Sequence, residues 1–163
     1  MIWNLFSRKK LDRSQALYEA IVAAARQPVF YRDWGVPDTV EGRFEMVILH
    51  LALIILRLKG QDDELRQQLA DRFCLDMDDN LRELGVSDLG VAKKVRRMAE
   101  AFQGRYVVYE TAHDVESMGQ AVMRNVYAGT TATANLAAYA VNAKVLLASE
   151  ATSEIIAGKV KFR

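Results

Sequence analysis

The sequence predicts an all-α fold: a single-domain compact helical bundle around one buried central helix, with an irregular aromatic loop. Three observations carry that expectation. The only two prolines, Pro28 and Pro37, fall in the first quarter of the chain. Beyond them apolar residues recur at steps of three and four, the period of a helix, rather than alternating as in a strand. The stretch MVILHLALIIL, Met46 to Leu56, is apolar on nearly every face yet about half the length needed to cross a bilayer, which marks a helix enclosed by others. A chain of 163 residues, 51% of them hydrophobic, is long enough for one sizeable core. Its expected organisation is a short apolar and basic segment (1–10), a helical body (11–157) and a basic tail, GKVKFR (158–163).

In chain order, the amino-terminal MIWNLFSRKK places apolar residues before charges, the reverse of a secretory signal. It is either a frayed end packed loosely on the body or a short amphipathic anchor, with Ile2, Trp3, Leu5 and Phe6 in a membrane surface and Arg8, Lys9 and Lys10 near headgroups. The first helix spans Asp12 to Arg26, with Leu17, Tyr18, Ile21, Val22 and Ala25 on one face and Ser14 as its cap. The segment PVFYRDWGVPDT then reads as the irregular loop, in which Phe30, Tyr31 and Trp34 either pack on the core or expose an adhesive surface. Asp38 or Thr39 caps the central helix, Val40 to Leu58. On it Val40, Phe44, Val47, Leu51, Ile55 and Leu58 share one side, while Arg43, His50 and Arg57, seven apart, mark a flank. Either the arginines pair with carboxylates of neighbouring helices and His50 donates to a carbonyl, or the flank contacts a partner.

A helix capped near Asp62 follows, with Leu65, Leu69 and Phe73 stepping by four and Cys74 beside them as a small hydrophobe. This single cysteine fits a reducing compartment and no zinc site. From Ser87 onward Val91, Val95, Met98 and Phe102 form a buried row, leaving Lys93, Arg96 and Arg97 outward and Lys94 on the shoulder. Beyond Gly104 the pattern predicts an extension near Tyr106 to Tyr109, a helix after Asp114 holding Met118, Val122 and Val126, and an alanine-rich helix from about Thr133 to Ala148, striped by Leu136, Tyr139, Ala143 and Leu146.

The acidic stretch DMDDNLRELGVSDLG, Asp76 to Gly90, has three readings. As a calcium loop it has Asp76, Asp78 and Asn80 in place, but Leu81 and Ser87 stand where glycine and glutamate are needed. As half of a helix–turn–helix it has a Gly85 turn and a basic second helix, but Leu81 and Lys94 occupy positions that want a small and an apolar side chain. The favoured reading is structural: a short helix begun by Asp76 or Asp78, closed by Gly85 in a left-handed cap, and then Ser87 capping the next helix. A formal net charge of +1 leaves no overall field toward nucleic acid, so charge-driven partners must meet a local patch, and sequence-specific DNA is not expected.

Two stretches carry a resemblance. YRDWGVPDTVEGRFEMVILHLALIILRLKG and LADRFCLDMDDNLRELGVSDLGVAKKVRRMAEAFQGR are similar to the ubiquinol–cytochrome c chaperone family, most clearly from Tyr31 to Tyr109. Through its mitochondrial members the resemblance implies a factor acting beside the ribosome exit, holding newly made cytochrome b with a small partner protein during assembly of the respiratory bc1 complex. The expectation is therefore a non-enzymatic, cofactor-free, cytoplasmic assembly factor, peripheral on the inner membrane, for cytochrome b or another hydrophobic client, working with a small partner or as a homo-oligomer. Tyr31, Trp34 and Phe44 are expected at the apolar contact, and Arg43, Lys93, Lys94, Arg96, Arg97 and Arg105 at a basic docking face. Alternatives are a helix–turn–helix reader of nucleic acid and a helical haem-handling protein using His50.

Overall fold

The computed structural model describes residues 3–130 and 133–163, with side chains from residue 13 onward; the side chains assigned above to a membrane anchor lie outside that range. The chain is helical throughout, with no strand among the described residues: α1 (Trp3–Ala25), α2 (Pro28–Arg32), α3 (Val40–Arg57), α4 (Asp63–Glu83), α5 (Asp88–Thr111), α6 (Val115–Asn125), α7 (Ala134–Ser149) and α8 (Thr152–Ile156).

The central helix forms as its sequence dictates. Thr39 accepts a hydrogen bond from the Gly42 amide at 3.1 Å, capping α3. Gly42 is required there, because a Cβ would lie 2.0 Å from the Pro37 carbonyl oxygen. From Glu45 to Ile55 every residue of α3 is buried, enclosed by α1, α4, α5 and α7. Each large apolar side chain so enclosed contributes about 1.5–3 kcal/mol. Val40, assigned by period to the buried side, is exposed.

Three expectations are corrected by the packing. Ser14 is not a cap: α1 begins before it, Ser14 is fully buried, and its hydroxyl accepts from Arg72 Nε at 3.3 Å. The aromatic loop is partly helical, because Pro28 at the first turn nucleates α2 and buries Phe30. The acidic run starts no helix. It lies in the last turns of α4, which continues without a break because Leu65, Leu69, Phe73, Met77 and Leu81 form one buried row at four-residue steps. Carboxylates are unfavourable near a helix end of negative polarity, and Arg82 offsets them by pairing with Asp78 at 2.6 Å and with Asp88. Gly85, at φ 81°, makes the left-handed turn the sequence requires, and Ser87 sits at the N-cap of α5.

Across that turn α5 packs back along α4, with Phe73 against Phe102 at 5.7 Å and Arg66 reaching the Tyr106 hydroxyl at 3.1 Å. A long hairpin of this kind is not the steep crossing of a helix–turn–helix. The second helix also runs straight through Gly104, because Phe102, Tyr106 and Tyr109 continue its buried row. Gly104 is exposed, and a Cβ added there would meet nothing within 4 Å. Gly104→Ala is expected to raise stability by about 0.5–1 kcal/mol in urea denaturation, by removing backbone freedom from the unfolded chain.

Asp114 and Ser117 form a reciprocal capping box at the start of α6. Helices α6 and α7 pack closely, and a Cβ at Gly119 would touch that of Ala137 at 3.9 Å. On α7 Leu136, Tyr139 and Ala143 are buried as their spacing predicts, with Leu147 rather than Leu146 completing the row. The carboxy-terminal segment turns Lys159, Lys161 and Arg163 outward and Phe162 inward, where its ring meets His50 edge-on at 4.9 Å.

Candidate functional site

The polar flank of α3 resolves into three separate structural roles. Arg43 is exposed and pairs with Asp38 at 2.6 Å. Arg57 meets no carboxylate among the described residues: it donates to the carbonyls of Leu147 and Glu150 at 2.7 and 2.8 Å and to the Thr152 hydroxyl at 3.2 Å, satisfying the end of α7. His50 is fully buried, with Nδ1 2.7 Å from the Met46 carbonyl and Nε2 2.7 Å from the Tyr139 hydroxyl. A carbonyl only accepts, so Nδ1 carries the proton, and the lone pair of Nε2 accepts from Tyr139. Burial, opposed in part by the Met46 hydrogen bond, pushes the His50 pKa down to about 4. With both nitrogens engaged and the ring packed among Phe30, Tyr139 and Phe162, His50 offers no ligand to a haem iron.

Cys74 is half-buried, and burial, with Asp71 nearby, pushes its thiol up, away from the reactive thiolate. Among the described residues no group of three or more His, Cys, Asp or Glu side chains is arranged to hold a metal ion.

The three aromatic residues assigned to apolar contact go to different places. Trp34 is half-buried, edge-on to Phe30 at 5.3 Å and Tyr139 at 5.7 Å, and its carbonyl accepts from Tyr127 and Thr133. Phe44 is half-buried against Phe73 at 5.7 Å. Tyr31 donates to the Ala25 carbonyl at 2.9 Å and lines a cavity of about 470 Å³ with Arg26, Pro28, Arg32, Asp38 and Arg43. The structure thus brings Tyr31 and Arg43 together, with Arg26, whose role the sequence does not betray.

The basic residues divide in the same way. Lys93, Lys94, Arg96 and Arg97 are exposed on α5, Arg96 pairing with Glu100 at 3.3 Å within its own helix. Arg105 is withdrawn from that face: its guanidinium is bidentate on the buried Glu45 of α3, with contacts of 2.7 to 3.1 Å. Sequence reasoning misses an apolar tip beside the basic run. Leu84 and Leu89, 67% and 89% exposed, flank the Gly85 turn. A signal for it is present, because Leu89 lies four and seven residues before Lys93 and Arg96 and so shares their outward face.

Among the described residues no helix is long and apolar enough to cross a membrane. The family of ubiquinol–cytochrome c chaperones matches residues 32–162, from the end of α2 to the inward-facing Phe162. The chain belongs to the ubiquinol–cytochrome c chaperone family. This is a family of assembly chaperones rather than one defined by a reaction. The crystal structure of the Cbp3 homolog from Brucella abortus is similar over 100% of this chain and 97% of that one, at 36% identity and a TM-score of 0.83. A Drosophila melanogaster protein, ubiquinol-cytochrome c reductase complex assembly factor 1, is 24% identical over 66% of this chain. The match spans 44% of that relative, less than half its length.

Proposed function

We propose that this chaperone assists maturation of cytochrome b by holding the newly made, hydrophobic client while the bc1 complex is assembled. The family match across residues 32–162 carries the reading. The Drosophila relative, named as an assembly factor of the ubiquinol–cytochrome c reductase complex, supports it. So does the surface. Tyr31 offers an aromatic face in an open cavity, with Trp34 and Phe44 half-exposed on the neighbouring elements, as a client with apolar segments requires.

The exposed run Lys93, Lys94, Arg96 and Arg97, with Leu89 on the same face, docks an acidic partner, ribosomal RNA at the exit region or lipid headgroups on the inner membrane. A small partner protein or a second copy of the chain completes the working unit. Arg43 serves the aromatic cavity instead.

Simultaneous charge reversal of Lys93, Arg96 and Arg97 is expected to leave helical circular dichroism intact and to reduce capture of cytochrome b in a quantitative pulldown by about tenfold or more. Unchanged capture would remove this face from the mechanism.

A further inference from the structure

Arg26, at the edge of the cavity at Tyr31, also borders a neighbouring depression. A second groove, of about 590 Å³, runs from Arg26 between α1 and α4. Arg26 lines both, so the two depressions adjoin at the end of α1. Their apolar lining comes from Pro28 and Tyr31 at one end and from Val22, Ala23 and the exposed Leu75 at the other.

Their walls differ in sign. Around Tyr31 stand Arg32, paired with Asp33, Arg43, paired with Asp38, and Arg26, whose charge is the one left over. Along α1 and α4 stand Glu19, Asp76 and Asp79, with Arg72 held to the buried Ser14. Arg26 and Asp79 are exposed and join no ion pair among the described residues, so both are available to an incoming group. Tyr18 donates to Asp76 at 2.8 Å and fixes that carboxylate in the groove wall.

This polarity selects among occupants. A nucleic-acid strand carries phosphate along its whole length and would be repelled by the acidic half. A flat bilayer cannot enter a concave groove, and a compact metabolite would fill one half only. A polypeptide segment can place charges of both signs along one apolar stripe. We propose that this groove docks a polypeptide segment with an apolar stripe, acidic side chains at one end against Arg26, and basic side chains at the other against Asp79. The assignment rests on the reading of the protein as a polypeptide chaperone and names the surface and the sequence character it recognises.

The test uses the full chain and fluorescein-labelled helical peptides of one composition in three arrangements: glutamates first and lysines last, the reverse order, and charges evenly shuffled. Fluorescence anisotropy is expected to show one polar arrangement bound about tenfold tighter than the shuffled peptide, with that preference lost at high salt. Arg26→Glu and Asp79→Lys are exposed substitutions expected to leave circular dichroism unchanged, each weakening the preferred peptide by roughly tenfold. The double variant Arg26→Glu with Asp79→Lys should transfer the preference to the reversed peptide.

Equal binding of polar and shuffled peptides, or variants that bind as the wild type does, would overturn the proposal. Concentration-dependent dimerisation of the chain alone, abolished by Arg26→Glu in sedimentation velocity, would overturn it in favour of a second copy as occupant. Recovery of cytochrome b by a wild-type chain that shows no preference among the three peptides would refute the groove alone and leave the proposed function standing.

Discussion

Arg105→Met is expected to destabilise the fold by about 3–4 kcal/mol in urea denaturation, the largest loss from any single side chain at the surface of α5. The reason lies on α3. Glu45 is 7% exposed, and its carboxylate accepts from both Nε and Nη2 along one edge of the Arg105 guanidinium. Truncation leaves a buried charge with no counter-ion, which costs far more than the pair itself contributes. Arg105→Lys keeps the charge but loses the two-pronged geometry, and should cost about 1–2 kcal/mol. Replacing both partners, Glu45→Met with Arg105→Met, should recover most of the loss, because no orphaned charge remains. A loss under about 1 kcal/mol for Arg105→Met would return Arg105 to the docking face where its sequence context places it.

The second large effect is a dependence on pH. His50 titrates near 6.5 in an unfolded chain and at about 4 in the folded one, where burial is the dominant cause. Between those values the unfolded state binds more protons, so its free energy falls as the solution is acidified. Stability from this group is complete above pH 6.5 and is lost progressively toward pH 4, by about 3 kcal/mol for a difference of this size. His50→Gln has no titrating group and retains an amide able to meet the Met46 carbonyl and the Tyr139 hydroxyl. Its deficit relative to wild type should be greatest at pH 7 and shrink by about that amount at pH 4. A deficit independent of pH would show that the imidazole is not held neutral between Met46 and Tyr139.

The legible part of the fold is the part specified locally. Thr39 followed by an apolar run fixes α3, Asp114 with Ser117 fixes α6, and Gly85 fixes the α4–α5 turn, each through groups a few residues apart. Asp76 to Asn80 misleads as a helix start because carboxylates favour a helix beginning, whereas the buried row continuing to Met77 and Leu81 outweighs that preference. Arg105 misleads for a different reason. Its partner Glu45 is 60 residues away, and no helical wheel of α5 contains it. The groove across α1 is invisible in the sequence for the same cause, since Tyr18 and Asp76, 58 residues apart, meet only when α1 and α4 pack. Residue chemistry marks Tyr31 and Arg43 individually; only the fold joins them at Arg26.

That the client is cytochrome b is the proposal on which the others depend. It is tested most directly by cross-linking a tagged copy of the full chain in its own host, solubilising in mild detergent and identifying the bound proteins by mass spectrometry against an untagged control. Enrichment of cytochrome b is expected, reduced when Lys93, Arg96 and Arg97 are reversed. Absence of cytochrome b under conditions that recover other membrane assembly complexes would contradict it.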